Sequence, residues 1–145
     1  MSDKSARVLD AGTGRELLVM KTAAHVACVR FSPDGRRVAS GTIAGFLHVH
    51  DSVTGQELFG TQAQSAMVYE LAYSPDGRRI ATVTFDEGLD KSQVKFRDSE
   101  SGELVFSLPG VLTVSFSGDG RFLATAGWQS FQSGEVRIWD ATPLP

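Results

Sequence analysis

Short apolar segments recur along this chain, alternating with polar residues and broken by turn chemistry every few positions. Val29-Arg-Phe31 alternates just before Ser-Pro-Asp-Gly, where Pro33 presets φ, Asp34 bonds nearby backbone and Gly35 tolerates positive φ. This predicts a strand, a tight turn and a second strand at Arg37-Val-Ala-Ser40. Phe46-Leu-His-Val-His50 reads as a third strand, and after Thr54-Gly55 the segment Gln56-Glu-Leu-Phe59 reads as a fourth. No helix is expected, because amphipathic spacing over about 11 residues is interrupted by Gly or Pro in every candidate window.

The four-strand pattern repeats. FSPDGRRVASG at 31–41 returns as YSPDGRRIATV at 73–83 and as FSGDGRFLATAG at 116–127, with the leading aromatics 42 and 43 residues apart. A second marker runs in phase: LDAGTGREL, HDSVTGQEL, RDSESGELV and WDATPLP place an aspartate at 10, 51, 98 and 140. With the strands named a to d, the chain reads c-d, a-b-c-d twice, then a-b-c, which makes thirteen strands. The units cover about 7–20 (partial), 26–60, 67–107 and 111–140 (partial) of a single domain spanning 1–145. Each is about one propeller blade long. The a-b turns are expected at Pro33-Asp34, Pro75-Asp76 and Gly118-Asp119. The inner strands, Val26 to Phe31, Val68 to Tyr73 and Val111 to Phe116, are expected to be the most buried segments.

These residues resemble the Trp-Asp repeat family of β-propellers, over almost the whole chain. The resemblance implies an all-β, partial β-propeller: two complete four-stranded antiparallel blades flanked by an N-terminal c-d and a C-terminal a-b-c part-blade. The family's Trp-Asp pair is intact only at Trp139-Asp140; Leu9, His50 and Arg97 hold the Trp position elsewhere. In the family, that Trp joins a network with a Ser or Thr of strand b, a His between d and a, and an Asp of the b-c turn. Here Ser40, Thr82 and Thr125 occupy the strand b position, and the resemblance places Thr125 to bond Trp139. Thr22, Gln64 and Ser107 stand near the histidine's place, since His25 lies too close to Phe31. About Ala44 replaces the turn aspartate in the first full unit. The fold carries over; the network does so only in fragments.

Composition narrows the partners. The chain has 145 residues, 41% hydrophobic and 21% charged, with a net charge of -3 that disfavours a nucleic-acid partner. Cys28 is the single cysteine, so no internal disulfide forms and a reducing, cytoplasmic setting is expected. No run approaches the roughly 18 apolar residues that span a bilayer, and the N-terminal residues lack a signal-peptide core, so no membrane partner is expected.

His48 and His50 lie two apart on one strand and face the same way, a spacing open to a metal, but no third ligand is evident and packing is the reading adopted. Cys28 sits in an apolar run and reads as structural. Arg36-Arg37 and Arg78-Arg79 follow the a-b turns and form basic clusters diluted by Asp34 and Asp76. The acidic run Asp86, Glu87 and Asp90 lacks the spacing of an EF-hand loop. With no nucleophile elbow, phosphate loop or zinc-protease motif, no catalytic residue, cofactor or metal is assigned, and the chain is read as a non-enzyme.

The departures from the repeat are more informative. Between the strand a aromatic and the strand c aspartate the units span 20, 25 and 24 residues, so the second and third carry extra residues at Phe85 to Ser92 and Trp128 to Ser133. In an antiparallel meander, b-c and d-a connections share one end, which places both insertions on the same face of adjacent blades. Phe85, Asp86, Glu87, Asp90, Trp128 and Phe131 are therefore the candidate partner-binding residues, aromatic anchors with an acidic rim; the alternative is that the aromatics cap the blade tops. The resemblance implies a protein- or peptide-binding scaffold, or else an architectural piece of a longer propeller protein. Because two full blades cannot close a ring, the remainder of a longer propeller or another copy of this chain is expected to cover the open ends. Two copies supply about six blades plus leftover strand.

Overall fold

The computed structural model describes residues 4–63, 66–84, 92–130 and 133–140, with 128–130 and 133 by backbone alone. Thirteen strands occur among the described residues, and no helix does. They form four antiparallel sheets. The first pairs β1 (Ser5–Leu9) with β2 (Glu16–Lys21). Blade 1 runs β3 (Val26–Phe31), β4 (Arg37–Thr42), β5 (Phe46–Asp51) and β6 (Glu57–Gln62). Blade 2 repeats this as β7 (Val68–Tyr73), β8 (Arg79–Thr84), β9 (Gln93–Asp98) and β10 (Leu104–Pro109). The last sheet holds β11 (Thr113–Phe116), β12 (Phe122–Ser130) and β13 (Ser133–Asp140). The order c-d, a-b-c-d, a-b-c-d, a-b-c is the one the sequence predicts.

Local chemistry fixes both turns at one end of each blade. In the a-b turn, Ser32 donates to Asp34 Oδ1 at 2.6 Å while accepting from the backbone N–H of Arg37 at 3.0 Å. Ser74 with Asp76, and Ser117 with Asp119, repeat these bonds. In the c-d turn the strand c aspartate does the work. Asp51 Oδ1 accepts from the N–H groups of Val53 and Thr54 and from the Thr54 hydroxyl at 2.7–2.9 Å, and Asp10 and Asp98 do the same. Gly14, Gly55 and Gly102 follow at φ of 70°, 72° and 74°, a region closed to most side chains. The Thr-Gly or Ser-Gly after each X-Asp is thus the closing half of a side-chain-stapled turn.

Apolar residues from each strand c pack forward onto strands a and b of the next sheet. Leu47 and Val49 of blade 1 meet Val68, Leu71 and Ile80 of blade 2; Val94 and Phe96 meet Val111, Val114 and Leu123; Ala6, with Met20, meets Val38. Phe96 also stacks on Phe106 at 4.3 Å between centroids and meets Phe116 edge-on at 6.2 Å.

Two expectations are corrected. The inner strands are not the most buried: β4, β5, β8 and β9 are, whereas β3 is largely exposed. Strands b and c lie mid-sheet with a neighbouring sheet against both faces, while strand a is an edge. The second correction concerns the extra residues of the last unit. Those that the structure describes, 128–130 and 133, lengthen strands: β12 pairs with β13 from Phe122↔Asp140 out to Ser130↔Ser133, with Trp128 opposite Gly134.

Candidate functional site

The end of the molecule carrying the b-c and d-a connections is where both insertions emerge. Thr84 ends β8 and Gln93 opens β9, so the segment containing Phe85, Asp86, Glu87 and Asp90 departs and returns here; these four residues lie outside the described residues, as does Phe131. Beside it projects the β12–β13 arm, whose β12 runs nine residues where β4 and β8 run six. Trp128 is carried on that arm by backbone pairing. The structure therefore places one of the six candidate residues, and on a strand rather than a loop.

At the opposite end, a cleft of about 840 Å³ lies between the a-b turns of blades 1 and 2 and the c-d turn of blade 2. Arg37, Arg78 and Arg79 line it together with Asp34, Asp76, Asp98 and Glu100. Arg37 donates to the Ser99 carbonyl at 2.8 Å, and Glu100 lies 3.7 Å from the same guanidinium. Asp34, Asp76 and Asp98 are held below the usual carboxylate range: hydrogen bonds do so for Asp34 and Asp98, and for Asp76 they outweigh a desolvation that acts the other way. The basic pairs are thus offset by ionised carboxylates, as the sequence suggested.

The Trp position of strand c faces backward onto the preceding sheet, and each blade fills it differently. In the last sheet, Trp139 Nε1–H donates to Thr125 Oγ1 at 3.0 Å, the bond the resemblance implied. In blade 2, Arg97 is 7% exposed and donates to the carbonyls of Gly102 at 2.9 Å and Ala63 at 3.0 Å. Lys95 reaches the same Ala63 carbonyl at 3.3 Å. Two cations therefore tie the β6–β7 connection to β9, a contact that sequence reasoning missed; the paired Lys95 and Arg97 at alternate strand positions were its only signal.

In blade 1 the position belongs to His50, buried beside His48 with ring centroids 6.3 Å apart. His48 Nδ1 pairs with Glu57 Oε1 at 2.8 Å, and buried Ser40 Oγ has no hydrogen-bond partner among the described residues. The two histidines thus pack side by side, and His48 also bonds Glu57, a partner the sequence reading did not foresee; among the described residues no group of three or more metal-type ligands gathers. Burial lowers the His50 pKa, with His48 adding to the effect and Glu57 opposing it. The neutral ring is the folded form, so the unfolded chain binds the proton more readily. Stability is therefore fully present above about pH 6.5 and is lost as pH falls below it. Melting temperature measured between pH 7.5 and 5.5 is expected to fall, and His50→Leu to flatten the slope; an unchanged slope would contradict this placement.

Cys28 is half-buried, its thiol donating to the Val68 carbonyl at 3.3 Å. Desolvation pushes its pKa up to about 11, which makes it a poor nucleophile and a packing residue.

Antiparallel four-stranded sheets stacked face to face, each passing strand c residues to the next, define an arc of a β-propeller. The WD40 family profile, "WD domain, G-beta repeat", matches residues 16–51 and 102–140. The chain belongs to the WD40 repeat family. It is 35% identical over 116 residues to the WD repeat-containing protein SL1-17 of Schistosoma mansoni, covering 77% of this chain and 35% of that protein. It also superposes on a chain of Kuenenia stuttgartiensis hydrazine synthase with a TM-score of 0.78 at 18% identity, covering 96% of this chain and 46% of that one. The chain thus spans about a third of the length of the curated relative and less than half of the solved structure.

Proposed function

We propose that this chain is a protein- or peptide-binding scaffold with no catalysis of its own, docking its partner at the end where the two insertions emerge. The observation that supports this most is the β12–β13 arm, which continues as paired strand beyond blade length beside the departure point of residues 85–91. Trp128 and Phe131 as aromatic anchors from one insertion, and Phe85 with the acidic Asp86, Glu87 and Asp90 from the other, are a residue set that suits a basic peptide with an apolar anchor. The single thiol at Cys28 supports placing it in the cytoplasm.

The test uses a partner cross-linked in cells and then purified. Trp128→Ala, and separately a short turn in place of residues 85–91, should each weaken binding at least about tenfold with little change in melting temperature. Full affinity in both variants would move the site elsewhere. A second reading, that these blades form part of a longer propeller joined to a signalling or catalytic domain, is favoured by the fraction of the relatives' length that the chain spans.

A further inference from the structure

The cleft of about 840 Å³ at the a-b and c-d turn end is lined wholly by residues of the two complete blades, and its charges are ordered. From β7 toward β10, Asp76 stands in the turn between β7 and β8, Arg78 and Arg79 lead into β8, and Asp98 ends β9, with Glu100 in the turn beyond it. Arg79 is paired in register with Asp98. The order along the cleft is therefore acid, base, acid, at strand spacings of about 4.8 Å. Blade 1 adds to the first acidic position. Its a-b turn stacks on that of blade 2, with Pro33 Cδ 3.8 Å from where a Cβ on Gly77 would sit, and brings Asp34 into the same cleft.

These charges are fixed in place and only partly used. Asp34, Asp76 and Asp98 each spend Oδ1 on the hydrogen bonds of their turn, and no hydrogen bond among the described residues uses Oδ2. The Arg78 and Arg79 guanidinium groups make no hydrogen bond or ion pair among the described residues. Arg37 differs, since it ties the blades by donating to the Ser99 carbonyl at 2.8 Å. Ser99 Oγ in turn donates to the Gly77 carbonyl, so the c-d turn is already fastened to the a-b turn and a ligand has little left to order. The combination is particular to this joint. Val53 stands in blade 1 where Glu100 stands in blade 2, and Gly118 and Phe122 stand in the last sheet where Pro75 and Arg79 stand.

We propose that this cleft binds an extended peptide segment whose side chains on one face run basic, acidic, basic. The outer two meet Asp34 with Asp76 and Asp98 with Glu100, and the central carboxylate meets Arg78 and Arg79. A simple anion is opposed by the four carboxylates of the cleft and a simple cation by its three arginines, so a ligand carrying both charges in this order is the one attracted throughout. Pro33 and Pro75 offer the aliphatic stem of a Lys or Arg an apolar surface. Residues two apart on a strand point the same way and lie about 6.6 Å apart, which lets Lys-x-Glu-x-Lys reach all three positions. The site goes beyond the one proposed above, since it lies at the opposite end and uses neither insertion.

The experiment is a nuclear magnetic resonance titration of the isotope-labelled full chain with the capped peptide Lys-Gly-Glu-Gly-Lys and, as reversed control, Glu-Gly-Lys-Gly-Glu. The first should shift the backbone amides of residues 34–37, 76–79 and 98–100. It should bind at least about tenfold more tightly than the second at low ionic strength, the preference fading as salt is raised. Arg78→Glu combined with Glu100→Lys reverses two exposed charges whose turns are held by backbone N–H groups, so the melting temperature should stay as it was. The preference between the peptides should fall to about twofold or less in that variant. No binding, equal affinity of the wild type for both peptides, amide shifts centred elsewhere, or a preference that survives the double substitution each overturns the proposal. Trp128→Ala leaves this cleft untouched, so its effect on partner affinity reports on the other site alone and the two readings fail separately.

Discussion

Gly127→Ala is expected to cost about 3 kcal/mol, lowering the melting temperature by roughly 10 °C, the signature of a side chain forced into packed backbone. Gly127 lies in β12 where the Gly110–Val111 connection crosses it. A Cβ there would overlap the Gly110 carbonyl oxygen and come within 2.9 Å of its carbon and 3.4 Å of Val111 Cα. Neither neighbour can turn aside, because both are main chain, and the same segment is anchored by the Leu112 N–H donating to the Ala126 carbonyl at 2.8 Å. Gly41 is the informative control. Its added Cβ would meet side chains, Val68 Cγ1 at 2.6 Å and Cys28 Sγ at 2.7 Å, so Gly41→Ala should cost less. Thermal unfolding of both variants decides the matter, and equal losses would refute the backbone argument.

Arg97 should separate two substitutions that a surface arginine would not. Arg97→Ala removes the donors to Gly102 and Ala63 and leaves a void between blades, at a cost of about 3 kcal/mol. Arg97→Trp should remain within about 1 kcal/mol of the parent. Burial lowers the Arg97 pKa, which marks the charge as costly to hold there, and the hydrogen bonds of its guanidinium go to neutral backbone carbonyls, those of Gly102 and Ala63. An indole at 97 has a waiting acceptor: Thr82 stands where Thr125 stands relative to Trp139, whose bond measures 3.0 Å. Denaturant titration of the three proteins measures the difference. A Trp variant as weak as the Ala variant would show that the arginine's ties to Ala63 are indispensable.

How much of this could be read in the sequence follows from the range of each interaction. The a-b and c-d turns close within a few residues, so Ser32, Pro33 and Asp34, or Asp51, Thr54 and Gly55, announce them directly, and all four sheets followed. The Trp139–Thr125 bond was legible because it joins paired strands of one sheet. The Arg97–Ala63 tie was not, because it spans 34 residues between blades and replaces the expected side chain with one of different chemistry. Burial was misjudged for β3 for a related reason: what covers a strand is decided by the neighbouring sheet, and the sheet before blade 1 has two strands. Counting residues between markers located the last insertion but could not tell a loop from longer strands, since β12 and β13 extend into it as far as Ser130 and Ser133.

The stapled turns also bear on how the chain assembles. Each aspartate and its hydroxyl partner lie two or three residues apart, so each a-b and c-d hairpin closes a short loop at little entropic cost before any distant contact exists. The joints between sheets instead bring together positions about a blade apart, such as Cys28 with Val68. Folding is thereby divided into quick, independent hairpins and a slower docking of sheets, and the barrier to the native state belongs to the stacking of blades rather than to the making of them.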